Sequence, residues 1–443
     1  MAAVVAAISG GTSPRSLFDL RLGSWVASYA VVAYGISAVT ILLPQSGSVR
    51  SVPAALVPTA LGLLCIAFAA FAVGYAAGGM RPLVAPVAAL LRMVGSSRSQ
   101  ALRSPAALCG VFGLGVVADL LTALLAGRFG YLGNATLATA DTAQWFAQPL
   151  VIASAMKTLA IFGLAIHAFS RRPRGQAVLW SVVSIAVVMG LISGLKESFV
   201  TVVLAVAIGY IVAGRKLSLS WLGAALAAFV LVVTPFVTEL RTDVRQGTQT
   251  VSLSDSVQHG WSQLFSSDGY VANSDPLVNI VQVAARVRAV DNLALIIEKT
   301  PDQVAYRSAG ELISAPVVGL IPRSIWPDKP VRLTGYDFYK TYYGGEGQSS
   351  SAVTLQGSLY MYGGPMVVVL GMAVVGTFLR ALDDGLQARR NRHGALVVAV
   401  LALIVTKQEL DVASFLAGVP VLALTCVAGL LLLFKPSSRA SNE

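Results

Sequence analysis

Leu320-Ile321-Pro322-Arg323-Ser324-Ile325-Trp326-Pro327-Asp328-Lys329-Pro330 is a string that neither a regular helix nor a central strand accommodates. Its three prolines fix φ and remove backbone donors, so it reads as a rigid loop carrying two cations and a tryptophan. It lies within Glu239–Gln356, the only long polar segment in a chain otherwise built of hydrophobic runs. That segment divides the apolar runs into a group before it and a group after it. The fold therefore reads as a membrane domain interrupted by one large loop.

Composition sets the same class. Of 443 residues, 56% are hydrophobic and only 12% charged, with a mean hydropathy of +0.73. A soluble chain of this length needs far more charge. The net charge of +11 does not point to nucleic acid, because the excess cations lie in short loops between apolar runs. Cys65, Cys109 and Cys426 sit far apart within apolar runs, and His167, His259 and His393 are equally scattered, so no metal or disulfide spacing is present. Met1–Arg15 is short and lacks a basic start, and reads as a cytosolic tail.

A spanning helix needs roughly 20 mostly apolar residues. On that rule ten spans are expected, near Ser24–Leu43, Val52–Ala77, Pro105–Ala126, Phe146–Phe169, Ala177–Gly194, Ser198–Ala213, Trp221–Thr238, Leu359–Leu379, Ala395–Thr406 and Val412–Phe434. Pro82–Met93 is too short to span and reads as re-entrant or interfacial. Cations accumulate in alternate loops: Arg15 and Arg21, then Arg81–Arg103, Arg171–Arg174, Arg215 and Lys216, Arg380–Arg392, and finally Lys435 and Arg439. By the positive-inside rule both termini are cytoplasmic and Glu239–Gln356 is external. The expected organisation is a membrane domain at 1–238, an external loop at 239–356, three further spans at 357–434 and a cytoplasmic tail at 435–443.

The loop is not polybasic, holding ten Lys/Arg against twelve Asp/Glu. Gly247–Ser274 is rich in Ser, Gly and Gln and reads as irregular. Asn279–Lys299 places Ile280, Val283, Val287, Leu293, Ile296 and Ile297 at helical spacing, so an amphipathic helix ending at Pro301 is expected. Ala309–Leu320 is a second apolar stretch, suited to packing on the outer face of the membrane domain.

The string Pro322-Arg323 followed by Trp326-Pro327-Asp328-Lys329-Pro330 resembles the "PR-x-x-W-P-x-K-P" signature of oligosaccharide repeat-unit (O-antigen, Wzy-type) polymerases. Gly357-Ser358-Leu359-Tyr360 with Gly363-Gly364 is similar to that family's "G-E-x-Y-x-x-F-G" approach to the next span. The specific likeness covers about Ala309–Gly364. Ser358 stands where the family often has glutamate, and Tyr362 where it often has phenylalanine. If that glutamate acts chemically in relatives, another group must serve here.

The resemblance implies an all-α, GT-C-like helix bundle of about ten spans that polymerises undecaprenyl-diphosphate-linked oligosaccharides into a surface polysaccharide at the outer face of the bacterial inner membrane. It implies no cofactor and no metal. The implied partners are the lipid-linked oligosaccharide, membrane lipids, a chain-length regulator and a flippase, with no nucleic acid. A membrane-bound diphosphate leaving group needs cations at the outer surface, and arginine's fork suits phosphate oxygens. Arg241 and Arg245, one helical turn apart after the seventh span, Arg323, Lys329, and Lys196 in a short external hairpin are the candidates. Interfacial anchoring and a solvated turn are their structural alternatives.

An acceptor hydroxyl needs a base, and His259 and Glu311 are the external candidates. Trp326, Tyr339, Tyr342 and Tyr360 offer flat faces for sugar rings, though any interfacial belt is also aromatic. Asp119 and Lys157 fall mid-span, where lone charges are costly, and are expected to pair across adjacent helices. Lys407, Glu409 and Asp411 cluster at the outer end of the ninth span. Alternatives to a polymerase are an O-antigen-ligase-like glycan transferase, which shares the donor site, and a transporter or flippase of a lipid-linked glycan, which should show polar groups at the midplane.

Overall fold

The computed structural model describes residues 20–30, 34–35, 54–78, 89, 98–126, 128–129, 132–133, 147–170, 174–234, 236–237, 289–321, 325–326, 329, 334–344, 351, 353–388, 390–407 and 411–436. Helices dominate them. In chain order they are α1 (Leu22–Ala30), α2 (Val57–Ala77), α3 (Pro105–Ala126), α4 (Ala147–Ser170), α5 (Arg174–Ile192), α6 (Lys196–Val212) and α7 (Leu219–Ala228), which continues through a wider turn at Phe229–Val233. The loop region supplies α8 (Val290–Lys299), α9 (Gly310–Leu320), α10 (Thr334–Tyr343) and α11 (Leu355–Met361). Then come α12 (Gly364–Leu386), α13 (Arg392–Lys407) and α14 (Val412–Leu433).

Among the described residues, six helices are long and apolar enough to cross a membrane: Val57–Ala77, Pro105–Leu125, Gln148–Ser170, Gly175–Ile192, Gly364–Leu386 and Val412–Leu433. The protein is an all-α protein of multi-pass membrane character. The described parts of the first, sixth, seventh and ninth expected spans are shorter helices. Pro82–Met93 and the start of the expected Asn279–Lys299 helix lie outside the described residues, except Ala89.

Among the described residues, two small antiparallel pairs depart from a purely helical expectation. β1 (Arg98–Leu102) pairs with β4 (Phe434–Pro436), and β2 (Arg128–Phe129) with β3 (Leu132–Gly133). The first pair closes the end of the bundle opposite the loop, where the Arg103 N–H also donates to the Leu433 carbonyl at 2.8 Å. At that same end the Asp383 carboxylate accepts from the backbone N–H of Leu22 (2.8 Å) and Gly23 (3.4 Å) and from the Tyr75 hydroxyl (2.7 Å). One acid thus caps α1 and joins it to α2 and α12.

Helices α2 and α12 touch through glycine on both sides. A Cβ at Gly74 would meet the Ala373 carbonyl oxygen at 2.1 Å, and one at Gly376 would meet that of Phe71 at 2.2 Å. Backbone-to-backbone approach of this kind replaces the hydrophobic drive that lipid does not supply between spans. Gly115 does the same for α3 against the Lys157 backbone of α4. That crossing brings the expected mid-span charges together: the Lys157 ammonium donates to Asp119, which also accepts from the Ser154 hydroxyl. The pairing avoids leaving a single charge within an apolar layer.

The eighth expected span, Leu359–Leu379, begins later than the sequence suggested. α11 ends at Met361, the chain turns at Tyr362-Gly363, and α12 starts at Gly364 with φ 69° and Pro365 in its first turn. Proline cannot continue a preceding helix, and a left-handed residue breaks the phase. The Gly357-Ser358-Tyr360 motif is thereby placed on its own short helix.

Replacing Gly376 by valine is expected to destabilise the protein by about 1–3 kcal/mol through overpacking against α2. The same change at Gly62 on α2, where a Cβ meets only open space, is expected to leave thermal unfolding in detergent nearly unchanged.

Candidate functional site

Where the loop helices meet the start of α14, six side chains form one connected polar group. Asp411 is the N-cap of α14: its Oδ2 accepts from the backbone N–H and the hydroxyl of Ser414, both at 3.1 Å. Its Oδ1 faces the loop, accepting from Arg307 Nη1 at 3.1 Å and from the Ser358 hydroxyl at 2.7 Å. The Val412 N–H donates to the same Ser358 oxygen at 3.0 Å. A buried carboxylate is tolerated here because its oxygens meet a helix N-terminus, a guanidinium and two hydroxyls.

Arg307 is held in turn, its N–H donating to the Met361 carbonyl at 2.8 Å. Next to it the Tyr362 hydroxyl donates to Glu311 Oε2 at 3.2 Å. Burial, with the negative charges of Asp411 and Glu311 adding to it, pushes the Tyr362 phenol up to about 12, against the lowering influence of Arg307. Tyr362 therefore stays a donor to Glu311 at neutral pH. The group runs from buried Ser358 and Asp411, through half-buried Arg307 and Tyr362, to exposed Glu311. It offers one cation and an accessible carboxylate on a rigid support.

The family model described as a domain of unknown function (DUF8712) matches residues 120–384, more than half of the chain. The protein belongs to the DUF8712 family. No curated protein and no solved structure matches it. Arg307, Glu311, Ser358 and Tyr362 lie within the DUF8712 match, and Asp411 beyond it.

The residues expected from sequence fall unevenly on this geometry. Glu311 joins the polar group. Lys329 folds back so that its ammonium donates to the Ile321 carbonyl at 3.0 Å, at the C-cap of α9, where a cation complements the helix end. Lys196 opens α6 after the Ser193-Gly194 turn, as a short hairpin requires. Beside that turn Leu191, Ile192 and Phe199 pack on Val233, Phe236 and Val237, the residues leading into the loop. His259, Arg241, Arg245 and Arg323 lie outside the described residues.

Two of the four aromatic expectations change. Tyr342 is buried, its hydroxyl bonded to Thr300 at 2.7 Å and its ring against Phe338, and Tyr360 is buried on α11. Both are withdrawn from the surface, and the Tyr342 contacts join α10 to the end of α8. Tyr339 is half-buried and stacks on Tyr343 at 5.5 Å, while Trp326 is exposed.

Sequence reading missed Arg307, which sits in no motif and takes its meaning from Asp411, 104 residues later. The one legible signal was the departure at Ser358: the position lacks a carboxylate, and the structure puts that of Asp411 against its hydroxyl.

Asp411→Asn is expected to lower thermal stability by about 3–5 kcal/mol, the usual cost of breaking a buried pair from one side. Tyr362 carries a raised pKa, so its contribution to stability is complete below pH 10 and is lost as pH rises through about 12. Alkaline unfolding of Tyr362→Phe should therefore be flatter than that of the wild type across that window.

Proposed function

We propose that this protein is a lipid-carrier-dependent glycosyltransferase of GT-C-like architecture. It has ten spans with both termini cytoplasmic, and it polymerises undecaprenyl-diphosphate-linked oligosaccharides at the outer face of the bacterial inner membrane. The observation that carries this reading is the group Arg307–Asp411–Ser358 with Tyr362 and Glu311, set on the loop side of the bundle beside α11, which bears the polymerase-like Gly-Ser-x-Tyr motif.

In this reading Glu311 is the general base that takes the proton of the acceptor hydroxyl as the anomeric carbon parts from the carrier diphosphate. Tyr362 holds that carboxylate in place by donating to it. Arg307, oriented by Asp411, opposes the negative charge that grows on the departing diphosphate. Asp411 supplies the carboxylate that Ser358 lacks, reached from α14 instead of from α11. Lys196, Arg241, Arg245 and Arg323 are assigned to guiding the diphosphate on the same side. Trp326 and Tyr339 are assigned to the glycan.

The ligase-like alternative shares this chemistry and differs only in its acceptor. The transporter alternative draws on the mid-span Asp119–Lys157 pair, but those charges are joined to each other and to Ser154.

Purified protein given a synthetic undecaprenyl-diphosphate repeat unit alone is expected to yield a ladder of products, with release of undecaprenyl diphosphate. Arg323→Ala, still inserted in the membrane, is expected to give no ladder. Transfer only after lipid A or a protein is added would identify a ligase. Flipping of the lipid in vesicles without transfer would identify a transporter.

A further inference from the structure

Helix α9 begins at the polar group and runs alongside α14 in the same direction. Its first turn carries Glu311, next to Arg307 and the N-cap Asp411, and its last turn brings Gly319 against the Ala417 backbone. A Cβ at Gly319 would meet the Ala417 carbonyl oxygen at 1.9 Å, so the two backbones touch there. Ala417 lies six residues below the cap of a helix that is long and apolar enough to span, a descent of about 9 Å. Gln148 on α4 fixes the same point by donating to the Gly319 carbonyl at 3.1 Å.

The two faces of α9 differ in what meets them. Ala315 and Gly319 are buried on the α14 side. On the other side Ile313, Val317 and Leu320 follow one another at helical spacing and are 80%, 61% and 63% exposed. Ile325, 74% exposed, and Trp326 extend the apolar surface past the helix end. From Leu312 to Pro322 the sequence has no charged residue. With 11 residues α9 is too short to span. Val419 and Leu424 of α14, a helix long and apolar enough to span, are exposed in the same manner.

We infer that α9, with Ile325 beyond its end, is a re-entrant element immersed in the loop-side leaflet, with lipid acyl chains covering Ile313, Val317, Leu320 and Ile325. Pro316 removes one hydrogen bond within α9, while Lys329 and Gln148 occupy carbonyls near its end, as burial at that depth requires. This holds whatever reaction the protein performs.

The test is site-directed spin labelling of Ile313→Cys, Val317→Cys and Leu320→Cys. The background has Cys65, Cys109 and Cys426 replaced by alanine, and the protein sits in nanodiscs of phosphatidylethanolamine and phosphatidylglycerol. Collisions with oxygen should exceed those with a water-soluble nickel chelate, as at a Leu424→Cys control, and the immersion depth should increase from 313 to 320. Nickel accessibility equal to that of an Asp302→Cys control in the exposed turn would place α9 in water and overturn the inference. Low accessibility to both reagents would mean that protein covers the face, which also overturns it. Ile325→Cys, outside any helix, supplies the same reading should a helix variant fail to fold.

Discussion

The ion pair between Arg307 and Asp411 is the constraint on which the loop side of this protein depends. Asp411 is buried and has to be neutralised. Its position as N-cap of α14 fixes one oxygen, and the other then demands partners from the loop. Arg307 and Ser358 answer that demand from two segments far apart in sequence. Once they are in place, α9 is started in one direction, α11 is held against the end of α14, and Tyr362 reaches Glu311. Loop and membrane domain thus share an electrostatic joint.

Below that joint, the bundle is assembled by close backbone approach. Glycines at 74, 376, 115 and 319 stand where a side chain would strike a neighbouring main chain. The first two seat α2 on α12, the third sets the level at which Asp119 meets Lys157, and the fourth seats α9 on α14. Packing and charge are therefore placed by the same few contacts.

Much of this was legible in the sequence, for identifiable reasons. Long apolar runs announce membrane helices directly, and the cost of an unpaired mid-span charge predicted the Asp119–Lys157 pair. The boundary at Gly364-Pro365 was misplaced because hydropathy continues smoothly across it while the backbone does not. Tyr342 and Tyr360 were read as exposed platforms because composition alone does not distinguish an aromatic that lines a surface from one that pins a loop. Arg307 was invisible, since an isolated arginine acquires its role only from a carboxylate that the fold delivers. Glu311 was named from the sequence as a candidate base, and the fold sets it beside Tyr362, a neighbour that no motif announces.

The central claim is that this joint also performs the glycosyl transfer. It is tested most directly by the rate of undecaprenyl diphosphate release from a synthetic lipid-linked repeat unit. The comparison is among wild type, Arg307→Ala, Asp411→Ala and the double variant, each checked for intact folding. The account predicts a large loss in either single variant and little further loss in the double, because the two residues act as one unit. Wild-type release by a folded double variant would contradict it.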